Sequence, residues 1–235
     1  MNRFKDLVIV TKEAILNTIF SLKNSYMLLL LIAIMTVFEF LRNIIGGNMI
    51  ISIIGYLISI AILSLVAGVL DSIINYNSSG KNTLKESYRR YFSPLINVMF
   101  IIYLVQYLLY MVLQMANLNY IYTLIFIVAF KILISPALEM VYIRGYYGYG
   151  ILFECFNFIA ENILTWIPYA LVFSIFDYIL LKKISFLYAM TNFNTSLVYV
   201  LILTLFRLFI YLFKGYLFKE LSENSYRKRM FKRSF

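Results

Sequence analysis

Long apolar runs separated by short polar stretches dominate the chain, and within the runs polar and apolar residues do not alternate. A helix needs about 20 mostly apolar residues to cross a bilayer, whereas a barrel strand reads as ~10 alternating ones. Six runs therefore predict spanning helices, over about 26–41, 49–70, 95–113, 120–142, 163–181 and 197–218. The second run carries no charge, and the third follows Pro94, a residue that suits the first turn of a helix. The fourth holds Lys131, Pro136 and Glu139, the fifth Trp166, Pro168 and Asp177, and the sixth Arg207 and Lys214. The apolar stretch Leu7–Val10 is too short for the core of a signal peptide. The expected fold class is all-α: one polytopic six-helix membrane domain over 1–218, followed by a basic tail over 219–235.

The segments before the odd-numbered spans have a different pattern. Thr83-Leu84-Lys85-Glu86 fits a capping box. Leu84, Tyr88, Tyr91, Phe92 and Leu95 then recur at helical spacing. Phe4, Leu7, Val8, Ile15, Ile19 and Leu22 form a looser stripe near the N-terminus, and Gly150, Glu154, Asn157 and Glu161 a narrow polar line on an apolar helix. Such helices can lie in the plane of the interface, so about three amphipathic interfacial helices are expected. The alternative is that they are the ends of long spanning helices. A unit of surface helix, span, short turn and span would then begin near Thr11, Thr83 and Gly150, and Asn24 aligns with Asn162 between two units.

Charge placement gives the orientation. With the N-terminus inside, 16 of the 21 Lys and Arg fall in inner segments and three (Arg42, Lys182 and Lys183) in outer loops. This is the positive-inside bias, and it predicts both ends inside a cytoplasmic membrane. It also accounts for the formal net charge of +10 without nucleic acid as a partner.

Composition agrees with the pattern. Hydrophobic residues make up 63% and charged residues 14%, against about 45–50% and 25% in soluble domains. The mean hydropathy is +0.84. Too few polar side chains exist to cover a water-soluble globule. The chain has no histidine and one cysteine, Cys155. That excludes His-dependent triads, zinc proteases of the His-Glu-x-x-His type, His-ligated haem and an internal disulfide. No catalytic constellation and no cofactor site are expected.

Ionisable residues inside the membrane are costly and mark function by default. The candidates are Glu39, Lys131, Glu139, Asp177 and Arg207. At 1.5 Å per residue, Lys131 and Arg207 lie roughly 15 Å from the outer surface. Arg207 is expected to pair with Asp177 across the hairpin of the last two spans, and Lys131 with Glu39 or Glu139. Functionally these charges would line a polar pathway; structurally they would fix helix register or snorkel to water. Gly55, Ser59, Ser64 and Gly68 read as helix-packing positions. In the tail, Arg227, Lys228, Arg229, Lys232 and Arg233 are candidate contacts to anionic lipid.

The segments TLKESYRRYFSPLINVMFIIYL and GYGILFECFNFIAENILTWIPYALV resemble a broad superfamily of prokaryotic six-helix membrane proteins. It includes the membrane domain beside some glycerophosphoryl diester phosphodiesterases. The soluble phosphodiesterase domain has no counterpart here, so the resemblance implies the six-helix fold and no catalytic residue. The expected function is a non-enzymatic role in membrane organisation, or in assembly or export of another component. The alternative is the permease subunit of an ABC-type exporter, with Thr83–Phe92 as the helix that touches a separate ATPase.

Overall fold

The computed structural model describes residues 3–45, 49–79, 84–116, 119–189, 193–224 and 228–229. Every element among them is helical: α1 (Arg3–Ser21), α2 (Tyr26–Ile45), α3 (Met49–Tyr76), α4 (Leu84–Met115), α5 (Tyr120–Ile134), α6 (Ala137–Arg144), α7 (Ile151–Glu161), α8 (Ile163–Ala189) and α9 (Phe193–Glu223). Four helical segments are long and apolar enough to cross a membrane: Ser52–Tyr76, Leu84–Met115, Tyr122–Arg144 and Val198–Glu223. Two bent pairs qualify when their halves are taken together, which gives four to six spans. The chain is a multi-pass, all-helical membrane protein.

The bends have local causes. Phe4–Asn24 meets Tyr26–Leu41 at 91°. Hydroxyls end α1 there: Ser21 Oγ donates to Thr18 O at 2.9 Å and Ser25 Oγ to Leu22 O at 2.8 Å. These side chains add hydrogen bonds to carbonyls at the helix end, and Leu22 O also accepts from Ser25 N at 3.2 Å. Ile151–Glu161 meets Ile163–Phe176 at 112°. Asn162 serves both helices at this corner. Its Nδ2 donates to Phe158 O at 2.9 Å, while its own carbonyl accepts from Thr165 N and Trp166 N.

The surface helix expected over Thr83–Phe92 is not separate from the third span among the described residues. Leu84–Phe92 runs straight into the span as the first part of α4, a helix of 32 residues. At 1.5 Å per residue α4 is about 48 Å long, well over the ~30 Å hydrocarbon core. Pro94 lies inside this helix rather than in its first turn. The reason is packing. Ser87, Tyr91, Leu95, Val98 and Ile102 form one buried stripe that crosses the proline without interruption. That stripe faces α3, the helix α4 packs against most extensively. Gly68 allows the close approach, since a Cβ built there would collide with the Ser87 side chain and lie 3.0 Å from its Cα.

The fourth expected span remains one segment, Tyr122–Arg144, interrupted at Ser135–Pro136 between α5 and α6 without a sharp bend. Gly145, with φ +65°, ends α6 in the left-handed conformation, and Tyr146 N bonds back to Met140 O at 3.1 Å. Helix α9 runs through the middle of the bundle and packs on α1, α2, α8, α3 and α6. Its Leu212, Phe213, Leu217 and Phe218 are buried in the core, where Phe218 packs on Phe158 and Trp166 with ring centroids 4.5 and 6.0 Å away. Large exposed side chains such as Phe100, Tyr103, Leu108 and Val112 on α4 form an apolar exterior suited to lipid.

Candidate functional site

Helix α9 places Arg207, Ile210, Tyr211 and Lys214 on one face, at helical spacings of three, one and three. This face is the floor of a cavity of about 310 Å³. Met35 and Glu39 of α2 form one wall, Ala170, Phe173 and Ser174 of α8 the other, and Ser135 lies at one end. The groove exists because α9 packs against both α2 and α8 while those two scarcely touch each other.

Two ion pairs stand at it: Glu39, Arg207 and Lys214 line the cavity, and Glu139 lies buried behind Lys214. Arg207 Nη1 lies 2.7 Å from Glu39 Oε2 and 3.3 Å from Thr36 Oγ1. The Arg207 side chain is 8% exposed and that of Glu39 36%. Two turns along, Lys214 Nζ donates to Ser135 O at 2.7 Å and lies 3.1 Å from Glu139 Oε1. The Lys214 side chain is 16% exposed, whereas Glu139 is fully buried. Neither Glu139 oxygen accepts an aligned hydrogen bond, so this pair is held by Coulomb attraction while the short hydrogen bond of the ammonium goes to Ser135 O.

That bond explains how the interrupted span survives. Pro136 has no N–H, and the break at Ser135–Pro136 leaves backbone carbonyls without helical partners. Lys214 satisfies the Ser135 carbonyl, Trp166 Nε1 donates to Ser135 Oγ at 2.8 Å, and Ser135 Oγ donates to Ile132 O at 2.7 Å. Non-helical backbone at membrane depth is tolerated where protein or a lined cavity satisfies it.

The expected pairings are revised by these contacts. Glu39 and Glu139 bind Arg207 and Lys214, not Lys131, whose side chain is exposed on α5. Arg207 and Lys214 lie on the central helix α9, whereas the Lys131 side chain is exposed on α5. The Asp177 side chain lies outside the described residues. Lys214, counted from the sequence as an inner-segment charge, is part of the groove. Its signal was the spacing of seven from Arg207, which puts both on one helix face.

Comparison of the chain with family models, with characterised proteins and with solved structures gives no match. The reading of the site therefore rests on its own geometry.

A second charged cluster ties the two ends of the described chain together. Arg229 Nη2 lies 2.8 Å from Asp6 Oδ2, Arg229 Nε donates to both Asp6 oxygens at 3.2 Å, and Arg229 Nη1 donates to Asn224 O. The Arg229 side chain is 4% exposed. In this structure the Arg229 guanidinium, expected to face anionic lipid, is instead buried against the Asp6 carboxylate on α1 as a bidentate partner. Of the other four basic tail residues, Lys228 donates to Glu223 O at 3.4 Å, and Arg227, Lys232 and Arg233 lie outside the described residues.

Sequence reasoning missed Asp71, which ends the apolar run of α3. Its carboxylate accepts from Tyr91 OH at 2.7 Å and Asn75 Nδ2 at 2.6 Å, and Arg90 lies 3.5 Å away. The spacing of Arg90 and Tyr91 on a neighbouring helix gives no sign of Asp71, because the two segments meet only in three dimensions.

Proposed function

We propose that the chain is a multi-pass protein of the cell membrane, with both ends cytoplasmic, that passes an anionic group through the groove on α9. This serves the assembly or export of another component, and the chain performs no covalent chemistry of its own. One observation carries the reading: Arg207 and Lys214 open onto the same cavity beside the Ser135–Pro136 interruption of a span. Substrate sites in membrane transporters combine these features, with charged side chains and interrupted helices at one depth. Each cation also has a carboxylate beside it, so the groove is close to neutral when empty and an incoming anion competes with a resident one. The cytoplasmic placement of the ends is supported by the bias of Lys and Arg toward one side of the membrane. The permease reading draws no support from α4, because Leu84–Phe92 continues the span and does not lie across it.

Binding is read from thermal unfolding of the detergent-solubilised chain with inorganic phosphate, phosphatidylglycerol or phosphatidylcholine added. A ligand that binds only the folded state stabilises it by about 2.7 kcal/mol at a hundred times its Kd. At least one anionic probe is expected to raise the midpoint, and Lys214→Gln to remove the increase. Equal midpoints with all three probes would overturn the proposal.

A further inference from the structure

The shape of the groove narrows the class of anion. Its floor is charged, but its walls include Met35, Ala170 and Phe173. It lies between α2 and α8, which touch little, and the outward faces of those helices, turned from the groove, carry exposed Leu30, Ile34 and Val37 on one and Leu171, Val172 and Ile175 on the other, so both walls stand in hydrocarbon. A free anion would gain nothing from apolar walls that stand in hydrocarbon. A molecule with a phosphate at one end and acyl chains at the other matches both parts. The two cations are seven residues apart, so along the helix axis they are separated by about 10 Å. That is one step along a bilayer whose hydrocarbon core is about 30 Å thick.

We infer that the groove carries the phosphate headgroup of an anionic glycerolipid along α9 while its acyl chains stay in the surrounding bilayer. This rests on the anion-pathway reading above and adds the substrate class. The phosphate accepts from the Lys214 ammonium and then from the Arg207 guanidinium. At the second step it displaces Glu39, whose partly exposed carboxylate has room to turn away. Arginine and phosphate match each other's geometry better than a single carboxylate oxygen does, which favours the exchange. Glu139 stays fully buried behind Lys214 and limits how tightly that end holds an anion, so the headgroup can leave. Net movement follows the lipid gradient, and no bond forms or breaks.

The test uses the full chain in vesicles of phosphatidylcholine and phosphatidylglycerol. Tail-labelled fluorescent phosphatidylglycerol is followed by its loss to a membrane-impermeant reductant, and release of inorganic phosphate from loaded vesicles is followed in parallel. The inference expects labelled phosphatidylglycerol to become accessible beyond the outer-leaflet fraction, at least tenfold faster than labelled phosphatidylcholine, without phosphate release. Ser174→Trp fills the groove without altering its charges and should return the rate to that of protein-free vesicles; the headgroup comparison on the unaltered chain needs no variant to fold. Phosphate release without lipid movement would overturn the lipid assignment and leave the anion pathway standing. Neither movement would overturn both. Equal movement of the two lipids, or a folded Ser174→Trp protein as fast as the parent, would overturn the role of the charged groove.

Discussion

Glu139, behind the groove, has a demanding environment, because it is fully buried and its stabilisation depends on Lys214 at 3.1 Å. Removing one member of a buried pair strands the other and costs about 3–5 kcal/mol. The two members are not equivalent, however. Lys214 keeps the Ser135 carbonyl at 2.7 Å when Glu139 is neutralised, whereas Glu139 keeps no hydrogen bond when Lys214 is lost. Lys214→Met is therefore expected to destabilise by about 3–5 kcal/mol, and Glu139→Gln by about 1 kcal/mol. The double variant should be more stable than Lys214→Met alone. Denaturant titration in detergent micelles measures all three, and a double variant no better than Lys214→Met would mean that the pair does not act as a unit. Much of this site was hidden in the sequence. The polar residues of the spans could be read directly, but Glu39 and Arg207 are 168 positions apart, and no local pattern tells which carboxylate an arginine will meet.

At the scale of the helix, the informative contrast is between segments that bend and the one that does not. An interfacial helix and the emergent end of a long span share the same amphipathic period, so periodicity alone cannot separate them. The deciding residues lie at the junctions. Ser21, Ser25 and Asn162 each bond a nearby backbone carbonyl where a helix ends. The same kind of bond from Thr36, Ser59 or Ser174 leaves a helix unbroken, so packing beyond the junction matters too, and at Tyr91–Leu95 the buried stripe continues across Pro94. The apolar runs, by contrast, marked the helices well, because burial in lipid leaves little freedom in composition. Two substitutions test these accounts. Asn162→Ala removes the side-chain bond to Phe158 O and should cost about 1 kcal/mol, the usual loss for a capping side chain, read as a lower unfolding midpoint. Gly68→Ala places a methyl group against Cβ and Cα of Ser87, so α3 and α4 must separate, at about 1–3 kcal/mol. Gly215→Ala meets the tips of Ile74 and Tyr142 instead, and these can swing aside. It should be the milder of the two in the same unfolding experiment, and the reverse order would mean that the α3–α4 contact is looser than described.

For the molecule as a whole, α9 is the hub and the Asp6–Arg229 pair fastens α1 to the segment that follows it. Deleting residues 225–235 leaves the spanning helices and most of the positive-inside bias in place, so reporter fusions in the loops should keep their locations. Asp6, however, would lose its guanidinium, and α1 should become open to protease and to amide exchange while α2–α8 stay protected. Unchanged protection of α1 would show that its packing on α9 suffices without the ion pair. The pair joins positions 223 residues apart, and this has a consequence for the order of events during synthesis. When α1 leaves the ribosome, Asp6 lacks this guanidinium, which arrives only after every spanning helix has been made. Until then the nascent chain carries α1 without that fastening, and translation of Arg229 supplies it. A ribosome stalled anywhere before that codon leaves a product with the spanning helices made so far but a loose α1. A protease surveying the membrane surface could distinguish it from the finished protein by that helix alone.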